Sequence, residues 1–460
     1  MKVGQKERET QNRVMKFFEE KLGYTNLGNW EDRESNSNIE PEYLEKFLKG
    51  KYDDDIIKKA IAKIERTIDD RGSLYQINKE FYSLLRYGFE IKGDVSEDSV
   101  HIDIINWNEK EKNHFYIVEE VSITGEHTKR PDVVIYVNGI ALGVIELKRS
   151  TVTVSEGIRQ NLGNQENNFI RKFFSSIQLV MAGNDTEGLR YGVIQTPAKY
   201  FLEWKEDVEF EYKLDKNIYS LCEKNRFLDI IQNFIIFDDG TKKIARYNQY
   251  FGVIESQKFV KRGEGGIIWH TQGSGKTLTM IWLARWIREK IDDSRVLLIT
   301  DREELDAQIE GRFQDVGENI QRTKSGRDLI ERLNKNEDSI ICSLIHKFRS
   351  GRTSAHEDYL QDLLSNIPDD FKAKGKIFVF VDECHRTQSG ELHKAMKKLI
   401  PDSVSIGFTG TPLLQKDKKK SHEIFGAYIH TYKFNQAVKD KVVLPLLWDA
   451  RDINQYITSP

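Results

Sequence analysis

The chain has 460 residues and a formal net charge of -3, and 38% of its residues are hydrophobic and 31% are charged. These values are typical of a globular protein of about three domains, and they exclude a histone-like basic coat. There are three cysteines, Cys222, Cys342 and Cys384, and the polar first residues lack the apolar segment of an export signal. No run of about 18 apolar residues occurs, so the sequence predicts a cytoplasmic protein without disulfides or membrane spans.

The first half of the chain begins with helical patterns and continues with strand patterns. Residues 5–22 form an amphipathic helical pattern, and mixed helical segments extend to about residue 87. Strand-like runs cover residues 100–105, 114–121, 131–137, 141–147, 177–182 and 190–195, and a helical run covers 156–174. This succession predicts one α/β module whose sheet is built largely from hairpins. We set the domain at residues 1–240, because the periodicity weakens after residue 198.

Charged residues flank two strand-like runs that meet at Asn138-Gly139. Asp132 lies at the start of the first run, Glu146 lies near the end of the second, and Lys148 follows the second run. Side chains alternate between the two faces of a strand, and positions 132, 146 and 148 are all even-numbered. A hairpin with a three-residue loop sets Asp132 opposite Glu146, so all three side chains can point to one face of the sheet. Two adjacent carboxylates repel unless a cation lies between them, which predicts a Mg²⁺ site with Lys148 stabilising charge on a scissile phosphate. The alternative is an exposed hairpin with a solvated charged face.

The second half of the chain alternates strand-like and helix-like runs. The strand-like runs cover residues 266–269, 295–300, 339–345, 376–381 and 403–408. Apolar strands that alternate with helices predict a parallel sheet with helices on both faces and with ligands at the carboxyl ends of the strands. We assign residues 241–460 to this second domain.

A phosphate loop follows the first of these strands. Its residues are Gly273, Ser274, Gly275, Lys276 and Thr277, and a helical run follows at residues 278–287. Backbone amides of the loop can surround phosphate oxygens, Lys276 can reach the outer phosphates of ATP, and the Thr277 hydroxyl can bind Mg²⁺. His270 replaces the first glycine of the general motif. A glycine-rich turn before a buried helix is the alternative.

Two further motifs also follow strands of this domain. Asp382-Glu383 follows residues 376–381, and it predicts an aspartate that holds Mg²⁺ and a glutamate that activates the attacking water. A solvated loop explains the charges but not the buried strand before them. The turn Thr409-Gly410-Thr411 follows residues 403–408 and could transmit the nucleotide state to bound DNA. The basic run at residues 416–420 could contact a phosphate backbone, although such runs are usually solvated loops.

Together these motifs resemble motifs I, II and III of a superfamily 2 helicase or translocase of the DExH branch. The resemblance implies a RecA-like lobe in which Arg302, within Thr300-Asp301-Arg302, contacts DNA phosphates. It also implies that Gln249 reads adenine, with an ordinary surface glutamine as the alternative. Such proteins need a second lobe of similar size, which this sequence does not include. We therefore expect this portion to bind ATP without efficient hydrolysis or translocation.

The charged hairpin resembles the core of a PD-(D/E)xK nuclease, with Asp132, Glu146 and Lys148 at the motif positions. The resemblance implies an acidic residue on an earlier helix, for which Glu80 is the candidate. It also implies a glutamine after the lysine. Gln160 and Gln165 are both candidates for this catalytic position, but neither is followed by the tyrosine of the family pattern.

The longest resemblance is to the N-terminal portion of the R subunit of a type I restriction-modification enzyme. Its motifs here are Glu7-Arg8-Glu9-Thr10-Gln11-Asn12-Arg13, Lys129-Arg130-Pro131-Asp132, Glu146-Leu147-Lys148-Arg149-Ser150 and Gly157-Ile158-Arg159-Gln160. This implies an ATP-dependent type I site-specific deoxyribonuclease that acts on double-stranded DNA with modification (M) and specificity (S) subunits, using ATP and Mg²⁺. A stand-alone repair nuclease or helicase, and a non-catalytic nucleotide-binding assembly fragment, are the alternatives.

Overall fold

The chain separates into two compact units, Met1–Tyr247 and Asn248–Pro460. The computed structural model describes residues 7–92, 98–300, 303–335, 337, 339–344, 367–368, 371–384, 396–411 and 424–446. Among the helices in these ranges, none is long and apolar enough to cross a membrane. The three cysteines are buried, as expected for small core residues.

The first unit is built around a seven-stranded mixed sheet. Its helices and strands in chain order are α1 (Glu7–Glu20), β1 (Thr25–Asn29), α2 (Pro41–Leu48), α3 (Asp54–Ile68), α4 (Leu74–Tyr87), β2 (Phe89–Lys92), β3 (Ser99–Ile102), β4 (Phe115–Glu119), β5 (Val133–Val137), β6 (Ile140–Leu147), α5 (Val154–Asn164), β7 (Leu179–Asn184), β8 (Gly188–Gly192), β9 (Leu202–Glu203), α6 (Lys213–Cys222), α7 (Lys224–Asn233), β10 (Ile235–Asp238) and β11 (Thr241–Ile244). The sheet order is β1-β4-β5-β6-β7-β8-β9, and β2-β3 and β10-β11 form separate pairs. Strands β1 and β4, and strands β6 and β7, are parallel, whereas the other neighbours in the large sheet are antiparallel. The predicted α/β module with many hairpins is confirmed.

Two predicted elements of this unit differ from the structure. The run at residues 100–105 lies in the small β2-β3 pair rather than in the large sheet. The helix predicted at 156–174 ends at Asn164, because the apolar residues that follow it, Ile170, Phe173 and Phe174, pack into the core beside the sheet instead of extending α5.

Strands β5 and β6 form the centre of the large sheet, and all of their residues are buried. The turn between them has Asn138 at φ 53° and Gly139 at φ 82°, which is the backbone form of a tight two-residue hairpin. A side chain on Gly139 would lie 2.6 Å from the carbonyl oxygen of Glu40. The register shifts between Ile135 and Tyr136, so Leu142 forms a bulge. The predicted three-residue loop is therefore wrong, but a two-residue turn plus one bulged residue gives the same pairing beyond the bulge.

The second unit contains a seven-stranded parallel sheet. Its helices and strands are α8 (Tyr247–Lys261), β12 (Gly266–His270), α9 (Lys276–Lys290), β13 (Ser294–Thr300), α10 (Glu303–Asp315), β14 (Gln321–Arg322), α11 (Gly326–Asn334), β15 (Ile340–Leu344), β16 (Lys376–Val381), β17 (Val404–Thr409), β18 (Tyr428–Tyr432) and α12 (Phe434–Lys439). The sheet order is β14-β15-β13-β16-β17-β12-β18, and all of these neighbours are parallel. Strands β16, β17 and β12 are adjacent, so their carboxyl ends bring three predicted motifs to one edge of the sheet. The predicted parallel sheet is confirmed.

Candidate active sites

The first candidate site lies where β5 begins and β6 ends. The hairpin register, continued one residue beyond the pair Val133 and Ile145, sets Asp132 opposite Glu146. The Glu146 side chain is fully buried, and the Asp132 side chain is 14% exposed. The amide of Leu147 donates a 2.7 Å hydrogen bond to Oδ2 of Asp132. The main chain of β6 therefore orients the Asp132 carboxylate toward the strand that carries Glu146.

Burial shifts the pKa of both carboxyl groups upward. Loss of solvation raises the pKa of Asp132 to about 6, although the nearby Lys148 ammonium and the Leu147 amide act in the opposite direction. Burial also raises the pKa of Glu146 well above its ordinary value, and the charge of Asp132 raises it further. The pair is therefore costly to ionise without a cation.

We expect Asp132→Asn to stabilise the metal-free chain at neutral pH. The pKa of Asp132 is about 6 in the folded chain against roughly 3.9 when unfolded, so the parent loses stability as pH rises from about 4 through about 6. The variant cannot ionise there, and its thermal midpoint should exceed that of the parent by roughly 2–6 °C at pH 7.5, with little difference near pH 4. Thermal unfolding in EDTA measures this, and equal differences at the two pH values would contradict it.

Lys148 lies beside the two carboxylates. Its Nζ is 2.9 Å from the carbonyl oxygen of Leu147, 3.5 Å from Oε1 of Glu7 and 3.9 Å from Oδ2 of Asp132. The acidic residue of an earlier helix that approaches this site is thus Glu7 of α1. Glu80, the candidate from the sequence, is exposed on α4, and no contact between it and this site is found within the described residues.

One of the two candidate glutamines contacts the site. Nε2 of Gln160 donates a 2.6 Å hydrogen bond to Oε2 of Glu146. Gly157 permits this approach of α5, because a side chain there would lie 3.4 Å from Cβ of Glu146 and 3.1 Å from Cβ of Ala182. Gln165 is engaged elsewhere: it is buried at the end of α5, where its Oε1 accepts from the amide of Gln195. Gln165 is therefore not brought to the carboxylates.

The residues of this site fit a divalent cation. Oε1 of Glu146 is buried and has no hydrogen-bond partner among the described residues, while its Oε2 is held by Gln160. Within the same residues no group of three or more His, Cys, Asp or Glu side chains is arranged to hold a metal. Mg²⁺ often uses only one or two protein carboxylates and takes its other ligands from water and substrate phosphates. A two-carboxylate site is consistent with that preference.

The second candidate site is the phosphate loop between β12 and α9. Gly273 and Gly275 have φ values of 80° and 88°, which favour glycine, and Oγ of Ser274 donates to the carbonyl oxygen of Thr271 at 2.5 Å. Nε2 of Gln249, on α8, donates to the carbonyl oxygen of Gly275 at 3.0 Å. A side chain on Gly275 would come within 2.4 Å of that Nε2. Gln249 therefore packs directly on the loop.

The other two predicted motifs of this unit, Asp382-Glu383 and Thr409-Gly410-Thr411, lie beside Lys276. Nζ of Lys276 lies 3.5 Å from Oε1 of Glu383, and the amide of Gly410 donates to Oε2 of Glu383 at 3.4 Å. Glu383 has a φ of 46°, an uncommon backbone conformation that is frequent at functional sites. Asp382 is buried directly after β16, and Thr277 lies in the first turn of α9. Thr409 and Thr411 flank Gly410, and Oγ1 of Thr409 donates to the carbonyl oxygen of Thr411.

Sequence reasoning missed the partner of His270. Nε2 of His270 lies 2.8 Å from Nδ1 of His430 on β18, which joins the strand entering the loop to its outer neighbour. Burial lowers the pKa of His270 well below its ordinary value, and burial also lowers that of His430, so both rings are neutral near pH 7. The only sign of this contact in the sequence was that His270 stands where the general phosphate-loop motif has glycine. The strand that carries His430, β18, was not predicted.

Some predicted positions lie outside the described residues. These are Asp301, Arg302 and the basic run at residues 416–420.

Two family models match separate parts of the chain. The model described as "Type I restriction enzyme R protein N terminus" matches residues 4–199, and the model described as "SWI2/SNF2 ATPase" matches residues 248–459. The HindI type I restriction enzyme endonuclease subunit of Haemophilus influenzae is 27% identical over 450 residues, covering 87% of this chain and 40% of the relative. The SsaAORF53P endonuclease subunit of Staphylococcus saprophyticus is 27% identical over 374 residues, covering 78% and 39%. The chain spans less than half the length of the curated relatives it matches.

Solved structures give weaker likenesses. The Sulfolobus solfataricus SWI2/SNF2 ATPase core in complex with double-stranded DNA is 17% identical with a TM-score of 0.30, covering 41% of this chain and 36% of that one. A nuclease-deletion mutant of the Type ISP enzyme LlaGI is 14% identical with a TM-score of 0.33, covering 44% and 21%. At these TM-scores neither supports a functional assignment. Together, the two family models and the curated relatives support the assignment of the chain to the N-terminal portion of a type I restriction enzyme R subunit.

Proposed function

We propose that the chain forms the cutting and motor portion of a type I restriction enzyme, which couples ATP-dependent translocation on double-stranded DNA to Mg²⁺-dependent cleavage. The observation that carries the proposal is the pair of Asp132 and the fully buried Glu146 beside Lys148, in the same chain as a phosphate loop next to Glu383. The match of residues 4–199 to the R protein family model supports it. In this proposal the first unit is the endonuclease domain and the second unit is the first motor lobe. The predicted boundary at residue 240 moves to residue 247, because β10 and β11 pair on either side of residue 240.

In the cutting site, Asp132 and Glu146 hold Mg²⁺. When bound, the ion polarises the scissile phosphate and lowers the pKa of a bound water. Lys148 places a positive charge 3.9 Å from the Asp132 carboxylate, where it can stabilise the charge that develops on the phosphate. Gln160 fixes Oε2 of Glu146, which would leave Oε1 available to the cation. Glu7 keeps the Lys148 ammonium between two acidic side chains.

In the motor lobe, the loop amides surround the phosphates of ATP and the Lys276 ammonium moves from Glu383 to the outer phosphates. Thr277 and Asp382 hold the Mg²⁺ that accompanies ATP, and Glu383 orients and deprotonates the attacking water. The contact between the Gly410 amide and Glu383 supports a coupling role for Thr409-Gly410-Thr411, since a change at Glu383 alters this turn directly.

Gln249 reads the adenine base in this proposal, but it also donates to the loop carbonyl of Gly275. Gln249→Ala removes the loop contact for every nucleotide, so if Gln249 also reads the base, the substitution should weaken ATP binding by roughly 2- to 10-fold more than GTP binding, the value of one hydrogen bond. Titration of fluorescent analogues of both nucleotides measures this. Equal weakening of both would show that the loop contact is its only role.

The partners in this proposal are double-stranded DNA and the modification and specificity subunits. The test is cleavage of unmodified circular DNA by the complete R subunit. We expect cutting to require ATP, Mg²⁺ and both partner subunits. Equal cutting without the partners would favour a stand-alone nuclease. Nucleotide binding without turnover in the full complex would favour an assembly role.

A further inference from the structure

The first helix, α1, carries a polar face that contacts the carboxylate site. Gln11 is 3% exposed, and its Nε2 donates a 3.0 Å hydrogen bond to the carbonyl oxygen of Asp132. The same carbonyl accepts the amide of Glu120 at 2.9 Å, so the peptide after Asp132 is fixed from two sides. Glu7, which lies one helical turn before Gln11, contacts Lys148. One face of α1 therefore reaches two residues of the proposed cutting site.

A separate set of contacts anchors α1. The hydroxyl of Thr10 donates to Oδ2 of Asp185 at 3.2 Å, and Arg13 forms ion pairs with Asp185 and Asp215. The Arg13 guanidinium also lies 4.0 Å from the centre of the Tyr212 ring. These contacts hold the helix in place without involving Asp132, Glu146 or Lys148. Anchoring of α1 and contact with the site are thus made by different side chains.

We propose that Gln11 is a positioning residue of the cutting site, which fixes the main chain of Asp132 so that its carboxylate is aimed at the cation. The inference rests on the proposed Mg²⁺ site. The Asp132 carboxylate is already held by the Leu147 amide, and rotation of its own peptide would pull it from that contact. Residues that orient a metal ligand in this way commonly contribute 10- to 100-fold to metal affinity.

Two buried substitutions on α1 separate positioning from helix packing. Gln11→Met keeps the length of the side chain but removes the amide, whereas Thr10→Val keeps the shape but removes the hydroxyl that donates to Asp185. Mn²⁺ is titrated into each variant without nucleotide or DNA, and free Mn²⁺ is followed by electron paramagnetic resonance. The relevant binding is the part that Asp132→Ala removes. Thermal unfolding is recorded in parallel.

We expect Gln11→Met to weaken this Mn²⁺ binding about tenfold and Thr10→Val to change it less than about twofold, with similar losses of thermal stability. Parent-like Mn²⁺ affinity in Gln11→Met overturns the inference, while the metal site itself stands. Equal weakening in both variants also overturns it, since the effect then follows helix packing. If the parent shows no binding that Asp132→Ala removes, the metal site fails and the inference fails with it.

Discussion

Lys276→Ala is expected to lower ATP hydrolysis by the assembled enzyme about 10²- to 10³-fold and to stop cleavage that depends on ATP. The reason is that Lys276 places its side-chain ammonium 3.5 Å from Glu383 beside the phosphate loop, and loss of such a charge-stabilising donor has effects of this size. Phosphate release and cleavage of circular DNA measure the result. Assembly with the partner subunits, followed by gel shift, should be retained.

Lys290→Ala is the matched control for this substitution. Lys290 ends the same helix and is exposed, so removal of its charge leaves the phosphate loop untouched. The control should hydrolyse ATP at the parent rate. Retained turnover in Lys276→Ala would contradict the role of the loop.

Asp132→Ala is expected to abolish DNA cleavage, with a loss of about 10³-fold or more, and to leave ATP hydrolysis intact. The substitution removes one of two carboxylates at the proposed cation site, and metal-ion catalysis supplies several kcal/mol of transition-state stabilisation. Conversion of supercoiled to nicked and linear DNA over time, with Mg²⁺ and with Mn²⁺, measures the effect.

Asp55→Ala is the control for cleavage. Asp55 lies on α3, is 68% exposed and pairs with Lys59, so its loss should leave cutting unchanged. If Asp132→Ala cut DNA as fast as this control, the nuclease assignment to the β5 and β6 hairpin would be discarded.

The architecture of the second unit was predictable because buried parallel strands have continuous apolar sequences. Each run that precedes a motif is buried on both faces, and the motifs follow at the carboxyl ends, where this class of sheet binds ligands. Strand β18 was missed because it is only five residues long and includes the polar residues His430 and Thr431. The contact between His270 and His430 could therefore not be predicted from the sequence.

The pairing of Asp132 with Glu146 was predictable from the alternation of side chains along the strands, although the bulge at Leu142 was not. Asn138-Gly139 signals a two-residue hairpin, but nothing in the sequence marks Leu142 as a bulge, so the correct pairing came from an incorrect loop. Glu7 and Gln11 reach the site through packing of α1 against the sheet, which local patterns do not encode. The sequence could not separate Gln160 from Gln165, because the choice depends on where α5 ends: Gln160 lies within the helix and Gln165 follows its last residue.

The central claim is that one chain carries two independent sites for phosphate chemistry. The most direct test is calorimetric titration of the parent, Asp132→Ala and Lys276→Ala chains with Mn²⁺ alone and with ATP in the presence of Mg²⁺. We predict that Asp132→Ala loses the Mn²⁺ site and keeps ATP binding, and that Lys276→Ala does the opposite. Loss of both Mn²⁺ and ATP binding in either variant, or retention of both, would contradict two independent sites.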